Sequence, residues 1–261
     1  MKLSMIQVDE AAELLHAAQQ GRAPIGPLSA RYPGLGVVEA YAIQQVNLFR
    51  RLRDGRRVVG HKIGLTSEPM QILLGVDEPD FGYLLDDMVV AGTTVPAARF
   101  CAPRVEPEVA FLLREPLRGP GVTAADVRAA TEAVAAALEI VDSRIANWAL
   151  TLPDTVADNA SSGAVVLGDW VTFADGPVLA DVQASLSLNG TEIDTGTGSA
   201  VMGDPAEAVA WLANALSPFG TEIRPGEFVI SGSYTTAASV QPGDHACATI
   251  GGLGTVSLTF T

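Results

Sequence analysis

The chain has 261 residues, 48% of them apolar and 18% charged, a globular composition rather than that of a disordered chain. That length sets one large domain, or one with a smaller appendage, able to bury a core without disulfides or a structural metal. Sixteen basic against 30 acidic side chains give a formal charge of −14, which argues against nucleic acid or an anionic membrane as the main partner, because phosphate recognition needs clustered Lys and Arg.

The first third reads as helical. Asp9 is placed to cap a helix whose Ala11, Leu14, Leu15 and Ala18 follow helical spacing, with Gly21 as its stop. A Pro/Gly-rich link spans 22–36. A second helix carries Val38, Ala42, Val46 and Phe49 as its apolar stripe and ends in Arg50, Arg51 and Arg53 before Gly55. Its basic end reads as a solvated helix terminus.

From residue 57 short β-branched runs alternate with turn residues. Arg57–Ile63, Arg104–Leu113, Leu138–Asp142, Gly163–Leu167, Val182–Leu188, Glu227–Ser231, His245–Ile250 and Thr255–Phe260 read as strands. Asn189-Gly190 marks a hairpin. Two helices interrupt them. One starts at Thr123 and carries Val127, Ala130, Val134 and Ala137; the other has Asp204 as cap and Pro205 in its first turn. Strands outnumber helices and do not alternate with them, which predicts an α+β fold with a rolled, barrel-like mixed sheet. The division expected is a helical portion, 1–56, and a β-rich catalytic core, 57–261.

The N-terminus lacks the apolar core of a signal peptide. No run approaches the roughly 18 apolar residues of a membrane span. Two distant cysteines, Cys101 and Cys247, form no zinc pattern. The expectation is a cytoplasmic protein. G-x-S-x-G, H-E-x-x-H and the P-loop pattern are missing, and only three histidines are present.

The sharpest chemical pattern is Glu106-Pro107-Glu108 within an apolar run. Strand side chains alternate, so both carboxylates point the same way. Buried side by side they repel and lose hydration, unless a divalent cation sits between them. Pro107, with no backbone donor, marks an edge or a bulge. Glu139 is a third carboxylate among apolar neighbours. Three carboxylates make a hard oxygen site, suited to Mg²⁺ or Mn²⁺ rather than zinc. Spacing alone leaves a second reading open, an edge strand with a solvated acidic side. Lys62, between apolar residues and glycines, is either a desolvated cation that holds a carboxylate or moves a proton, or a strand-end lysine reaching solvent. The segment from Gly75 to Asp87 is rich in acids, read mostly as loop residues. Asp158, Asn159, Ser161 and Ser162 offer polar groups that either bind a carboxylate or shape a turn.

Together G-H-K-I-G-L-T-S, L-G-V-D-E-P-D-F-G, P-R-V-E-P-E-V-A-F, A-L-E-I-V-D-S-R-I and D-T-V-A-D-N-A-S resemble the 2-hydroxypenta-2,4-dienoate (2-keto-4-pentenoate) hydratases of the fumarylacetoacetate hydrolase superfamily. The resemblance runs nearly the whole chain and is densest from Gly60 to Gly163. It implies a mixed β-roll core with a helical N-terminal portion, and a homo-oligomer. It implies Mg²⁺ or Mn²⁺ held by Glu106, Glu108 and Glu139, catalytic roles for Lys62 and Asp80, and a substrate contact from Ser161. The implied reaction adds water to a 2-hydroxydienoate to give a 4-hydroxy-2-oxo acid in meta-cleavage catabolism. An aldolase or a decarboxylase of the same pathway is an implied partner. Rival readings are a 2-oxo-3-enedioate (4-oxalocrotonate) decarboxylase, a C–C hydrolase of the wider superfamily, and a non-catalytic partner subunit. Asp80 in D-E-P-D-F-G looks more like the hydratases. Thr236 stands near where hydratases of seven-carbon dioates carry an arginine, which favours a short or apolar substrate tail.

Overall fold

A computed structural model describes residues 2–68, 71–72 and 75–261. Leu74, the first residue of the L-G-V-D-E-P-D-F-G motif, lies outside the described residues.

The N-terminal portion holds α1 (Met5–Gly21), the short α2 (Leu28–Arg31) and α3 (Val37–Arg53). Helix α1 begins one turn earlier than expected. Ser4, not Asp9, is its cap: Gln7 N–H donates to Ser4 Oγ at 3.3 Å and Ser4 N–H donates back to Gln7 Oε1 at 3.0 Å. This reciprocal box satisfies two end donors at once, which a lone Asp one turn inside does not. The face of α3 is also corrected. Its buried residues are Ala40, Ile43 and Gln44, whereas Val38 and Phe49 are 73% and 59% exposed. Ala42 and Val46 of the expected stripe do pack inward, but the buried face is rotated toward Gln44, whose Nε2 donates to the carbonyls of Phe81 and Val156, at 2.8 and 3.2 Å. Helices α1 and α3 share an apolar cluster with α5 (Leu152–Ala157) through Leu15, Ile43 and Val156.

The rest is built on two mixed sheets. In the larger, β1 (Val58–Gly64), β2 (Asp80–Leu85), β4 (Arg104–Leu113), β5 (Thr131–Val141), β6 (Ser162–Leu167) and β10 (Phe228–Ile230) run in the order β2-β1-β10-β4-β5-β6. Short β7 (Val171–Thr172) pairs with β5, and β11 (Ala238–Ser239) with β4. The second sheet orders β3 (Thr94–Val95), β13 (Gly254–Phe260), β12 (His245–Ile250), β8 (Gln183–Leu188) and β9 (Thr191–Thr197) as β3-β13-β12-β8-β9. The β1/β10 and β3/β13 pairs are parallel and the other named pairs antiparallel. This is the expected α+β roll, and Asn189-Gly190 does turn the β8–β9 hairpin.

Two further elements differ from the sequence expectation. The helix at Thr123 stops early: α4 covers Ala124–Ala130, and Thr131–Val141 is strand β5. The alanine-rich TEAVAAALEIV run has helical propensity, but as a central strand all its residues except Glu132 are buried, and tertiary burial overrides local preference. Asp80–Leu85, read as loop, is the buried strand β2. The helix α6 (Pro205–Leu216) has the expected Asp204 cap, whose Oδ1 accepts from Ala206 N at 2.8 Å.

Strand alternation then divides chemistry from core. Val105, Val109, Phe111, Leu138 and Ile140 join Ala246, Ala248, Leu258 and Phe260 of the second sheet in one buried cluster. Glu106, Glu108 and Glu139 stand at the alternate positions, toward the opposite face.

Candidate metal centre

Register brings the carboxylates together. Glu106 is the direct cross-strand partner of Glu139, and Glu108 lies two residues along the same face of β4. One oxygen from each of the three lies within 4.8 Å of the others. Glu139 is 0% exposed and Glu108 1% exposed, while Glu106 is only partly buried and so marks the open side. The solvated acidic edge is therefore not what forms. Strand β4 is central, between β5 and β10. Pro107 is tolerated there for a local reason. Its carbonyl accepts from Tyr234 N at 3.1 Å, in the gap between β10 and β11, where no strand requires a donor from residue 107.

Lys62 and Asp80 complete the cluster. The Lys62 ammonium is buried, lies 3.6 Å from Glu139 Oε2 and donates to the Ala160 carbonyl at 3.0 Å. It is not a strand-end lysine in solvent. Asp80 Oδ2 accepts from Thr155 Oγ1 at 3.0 Å, and Gly232 N–H donates to Glu108 Oε2 at 2.7 Å. Asp80 Oδ1, both Glu139 side-chain oxygens, Ser161 Oγ and the Tyr234 hydroxyl are buried without a hydrogen-bond partner. Orphaned buried oxygens are costly, and those of Asp80 and Glu139 share Lys62 as a neighbouring cation.

Electrostatics point the same way. Burial pushes Glu108 well up, helped by Glu139 and Glu106. Burial also raises Glu106 and Asp80, with Lys62 opposing in both. Glu139 is pushed up to about 7 by burial, with Lys62 opposing and Glu106 adding to the rise. For Lys62 burial pulls down, but Glu139, Asp80, Glu106 and Glu108 outweigh it and its pKa is raised. Three mutually repelling, partly orphaned carboxylates fit a hard divalent cation.

A carboxyl whose folded pKa lies above its unfolded value stabilises the fold while protonated, and that contribution is lost as pH rises through the folded value. With Glu139 near 7, the EDTA-treated protein is expected to lose melting temperature between about pH 5 and pH 8. Mn²⁺ should raise the melting temperature more at the upper end, where the carboxylates are ionised. A metal-free melting temperature flat over that range contradicts this.

Close packing around Lys62 and Asp80 requires glycine at two neighbouring positions. An added Cβ at Gly64 would lie 2.2 Å from Asp80 Oδ1 and 3.2 Å from Lys62 Nζ; one at Gly82 would lie 2.3 Å from the Asn159 carbonyl. Gly64→Ala is therefore expected to displace Asp80 and lower kcat about 10- to 100-fold. Near-native kcat in a folded Gly64→Ala variant would show that Asp80 placement is irrelevant.

The other acids of 75–87 divide. Asp77 and Glu78 are exposed, and Asp86 and Asp87 pair with arginines, as in Arg51–Asp87 and Arg57–Asp86. Residues the sequence reading gave no site role are Thr155, Gly232 and Tyr234, and Arg144, whose guanidinium contacts Asp158 at 2.5 Å. Only Arg144 carried a signal, an arginine inside the LEIVDSRI run. Both cysteines are free. Among the described residues no helix is long and apolar enough to cross a membrane.

The chain is similar to known proteins over nearly its whole length. The fumarylacetoacetate hydrolase C-terminal family matches residues 62–261. A 2-keto-4-pentenoate hydratase of Paraburkholderia xenovorans is 46% identical, over 97% of this chain and 95% of the relative. A 2-hydroxyhexa-2,4-dienoate hydratase of Comamonas testosteroni is 44% identical over 97% of both chains. Among solved structures, the 4-oxalocrotonate decarboxylase of Pseudomonas putida G7, complexed with magnesium and adipate, superposes with a TM-score of 0.96 at 34% identity, covering 100% of this chain and 99% of that one.

Proposed function

We infer the reaction from one premise: the chain belongs to the fumarylacetoacetate hydrolase family, and within it to the 2-keto-4-pentenoate hydratases. The protein is a hydro-lyase that adds water to 2-hydroxypenta-2,4-dienoate or a close homologue, giving a 4-hydroxy-2-oxo acid. The observation that carries the reading is the buried Glu106–Glu108–Glu139 cluster with Lys62 against it.

Glu106, Glu108 and Glu139 would hold Mg²⁺ or Mn²⁺, which supplies Lewis acidity toward the substrate's C2 oxygen and carboxylate. The remaining work falls to the chain. Lys62, fixed by Glu139 and the Ala160 carbonyl, balances negative charge on the C2 oxygen as the enol loses its proton. Asp80, with Oδ1 unpartnered and its pKa raised by burial, carries a proton to C5, or orients the water for C4. Ketonisation moves the C4–C5 double bond to C3–C4. Water then adds across it, with oxygen at C4 and hydrogen at C3. Ser161 Oγ, buried and unpartnered, contacts the substrate.

The finer proposals are a homo-oligomer, a cytoplasmic location and the division at residue 57. The exposed apolar Val38 and Phe49 of α3 support self-association. The product is an aldol, which gives an aldolase as the consuming activity.

The decarboxylase likeness sets the experiment. The protein, with Mg²⁺ or with EDTA, is given freshly generated 2-hydroxypenta-2,4-dienoate and, separately, 2-oxohex-3-enedioate. The expected result is metal-dependent loss of the dienol absorbance and a product heavier by one water. Release of CO₂ from the enedioate, with no hydration of the dienoate, would reassign the reaction and leave the carboxylate site intact. Inactivity on both with tight Mn²⁺ binding would move the substrate tail. Inactivity without metal binding would leave a scaffold.

A further inference from the structure

Residues 159–161, whose Ala160 carbonyl accepts from Lys62, are held in a conformation that Ala and Ser do not favour. Asn159, Ala160 and Ser161 have φ of 56°, 51° and 52°. Three consecutive left-handed residues, none of them glycine, persist only when their surroundings over-determine them.

The surroundings are specific. Arg144 and Asp158 are 4% and 3% exposed. Arg144 Nε donates to Asp158 Oδ1 at 2.5 Å, and Arg144 N–H donates to Asp158 Oδ2 at 2.9 Å. The same guanidinium donates from Nη2 to the Asp158 carbonyl and from Nη1 to the Ser162 carbonyl, the latter at 2.8 Å. One side chain thus grips the residues on both sides of the left-handed run. The middle is pinned from elsewhere. Asp142 N–H donates to the Ser161 carbonyl at 2.7 Å, and the Asn159 side chain brackets Tyr83, accepting from its N–H at 2.9 Å and donating to its carbonyl at 3.0 Å. Within the run the Ala160 carbonyl is bonded to Lys62 at 3.0 Å, and Ser161 Oγ is buried without a partner.

We propose that Arg144 and Asp158 form a clamp that positions Lys62 by holding residues 159–161 left-handed. They are positioning residues: among the described residues neither makes a hydrogen bond or ion pair with Glu106, Glu108 or Glu139. The clamp deepens the hydratase reading and rests on it for its kinetic readout. A relaxed loop turns the Ala160 carbonyl away, and the Lys62 ammonium loses the acceptor that sets its direction. The three glutamates sit on β4 and β5, and loosening the Lys62 ammonium removes no ligand, so metal affinity is not expected to fall with kcat.

The test uses the full-length protein with Mn²⁺. Asp158→Asn is expected to lower kcat about 10- to 100-fold. KM and the Mn²⁺ dissociation constant should stay within about threefold, as for a residue acting on the transition state alone. Amide exchange in the segment 158–163 should accelerate. Adding Ala160→Gly should recover part of the lost kcat, because glycine enters the left-handed region without strain. Asn159→Ala, at a half-buried position, should fold and give a smaller loss of the same kind, which keeps the test open where Asp158→Asn does not fold. The clamp is overturned if a folded variant keeps wild-type kcat, if Mn²⁺ affinity falls in step with kcat, or if Ala160→Gly restores nothing. Failure of wild-type hydration would instead remove the hydratase reading, with amide exchange and Mn²⁺ affinity still reporting on the clamp.

Discussion

Glu106→Gln is expected to lower kcat by about 1,000-fold or more and to weaken Mn²⁺ binding by at least about 100-fold, the scale for losing one ligand and the Lewis acidity it maintains. The same substitution should raise the melting temperature of the EDTA-treated protein at alkaline pH. Glu106 stands directly across from Glu139 and two residues from Glu108, so removing its charge relieves a repulsion between like charges in opposed strand positions. Inactivation coupled to stabilisation of the metal-free fold is the signature of residues kept for function. A structural acidic edge gives the reverse pattern, unchanged activity and little change in melting. Activity assays, Mn²⁺ titration and thermal melts on one preparation decide between them.

Lys62→Met should inactivate as well, with the opposite effect on stability. Removing the ammonium takes away the charge that balances the developing C2 oxyanion, and kcat should fall about 100- to 10,000-fold. In the metal-free protein it leaves Glu139, 0% exposed, without its nearest cation. Breaking a buried pair in this way costs about 3–5 kcal/mol. Mn²⁺ binding should persist or tighten, because a positive neighbour of the ion has gone. The two variants thus separate three properties: both lose turnover, Glu106→Gln loses metal and gains metal-free stability, and Lys62→Met keeps metal and loses stability. Loss of Mn²⁺ binding in Lys62→Met would contradict its assignment as the charge-balancing group.

Legibility in the sequence followed how local each signal was. Glu106 and Glu108 share a face by strand periodicity alone, and that reading survives because β4 is a regular strand over Arg104–Leu113. Glu139 required knowing that β4 and β5 are neighbours in register, which one sequence does not encode in any short pattern. Its apolar context still flagged it as an oddly buried acid. The helix–strand boundary at Thr131 was not legible: EAVAAAL satisfies helical spacing, and only burial on both faces of a central sheet decides for strand. Half of the α3 stripe, Val38 and Phe49, is misplaced for a related reason, while Ala42 and Val46 pack inward as expected. Hydrophobicity favoured Val38 and Phe49, but the buried face had to include Gln44, whose two backbone bonds exist only after β2 and α5 are in place. Asp80 was reached through family resemblance, because its strand contains Gly82 and follows a proline, both of which read as loop. The left-handed loop at 159–161 was the least legible. Nothing in Asn-Ala-Ser demands positive φ, and the clamp imposing it comes from Arg144, fourteen residues before Asp158 in sequence.

The measurement that tests the central claim most directly is anomalous diffraction at the manganese edge from crystals of this protein grown with Mn²⁺. A single strong peak contacting carboxylate oxygens of Glu106, Glu108 and Glu139, lost in Glu106→Gln crystals, is the predicted result. A peak elsewhere, or none at a Mn²⁺ concentration that supports turnover, would contradict the assignment of these three carboxylates as the catalytic metal centre.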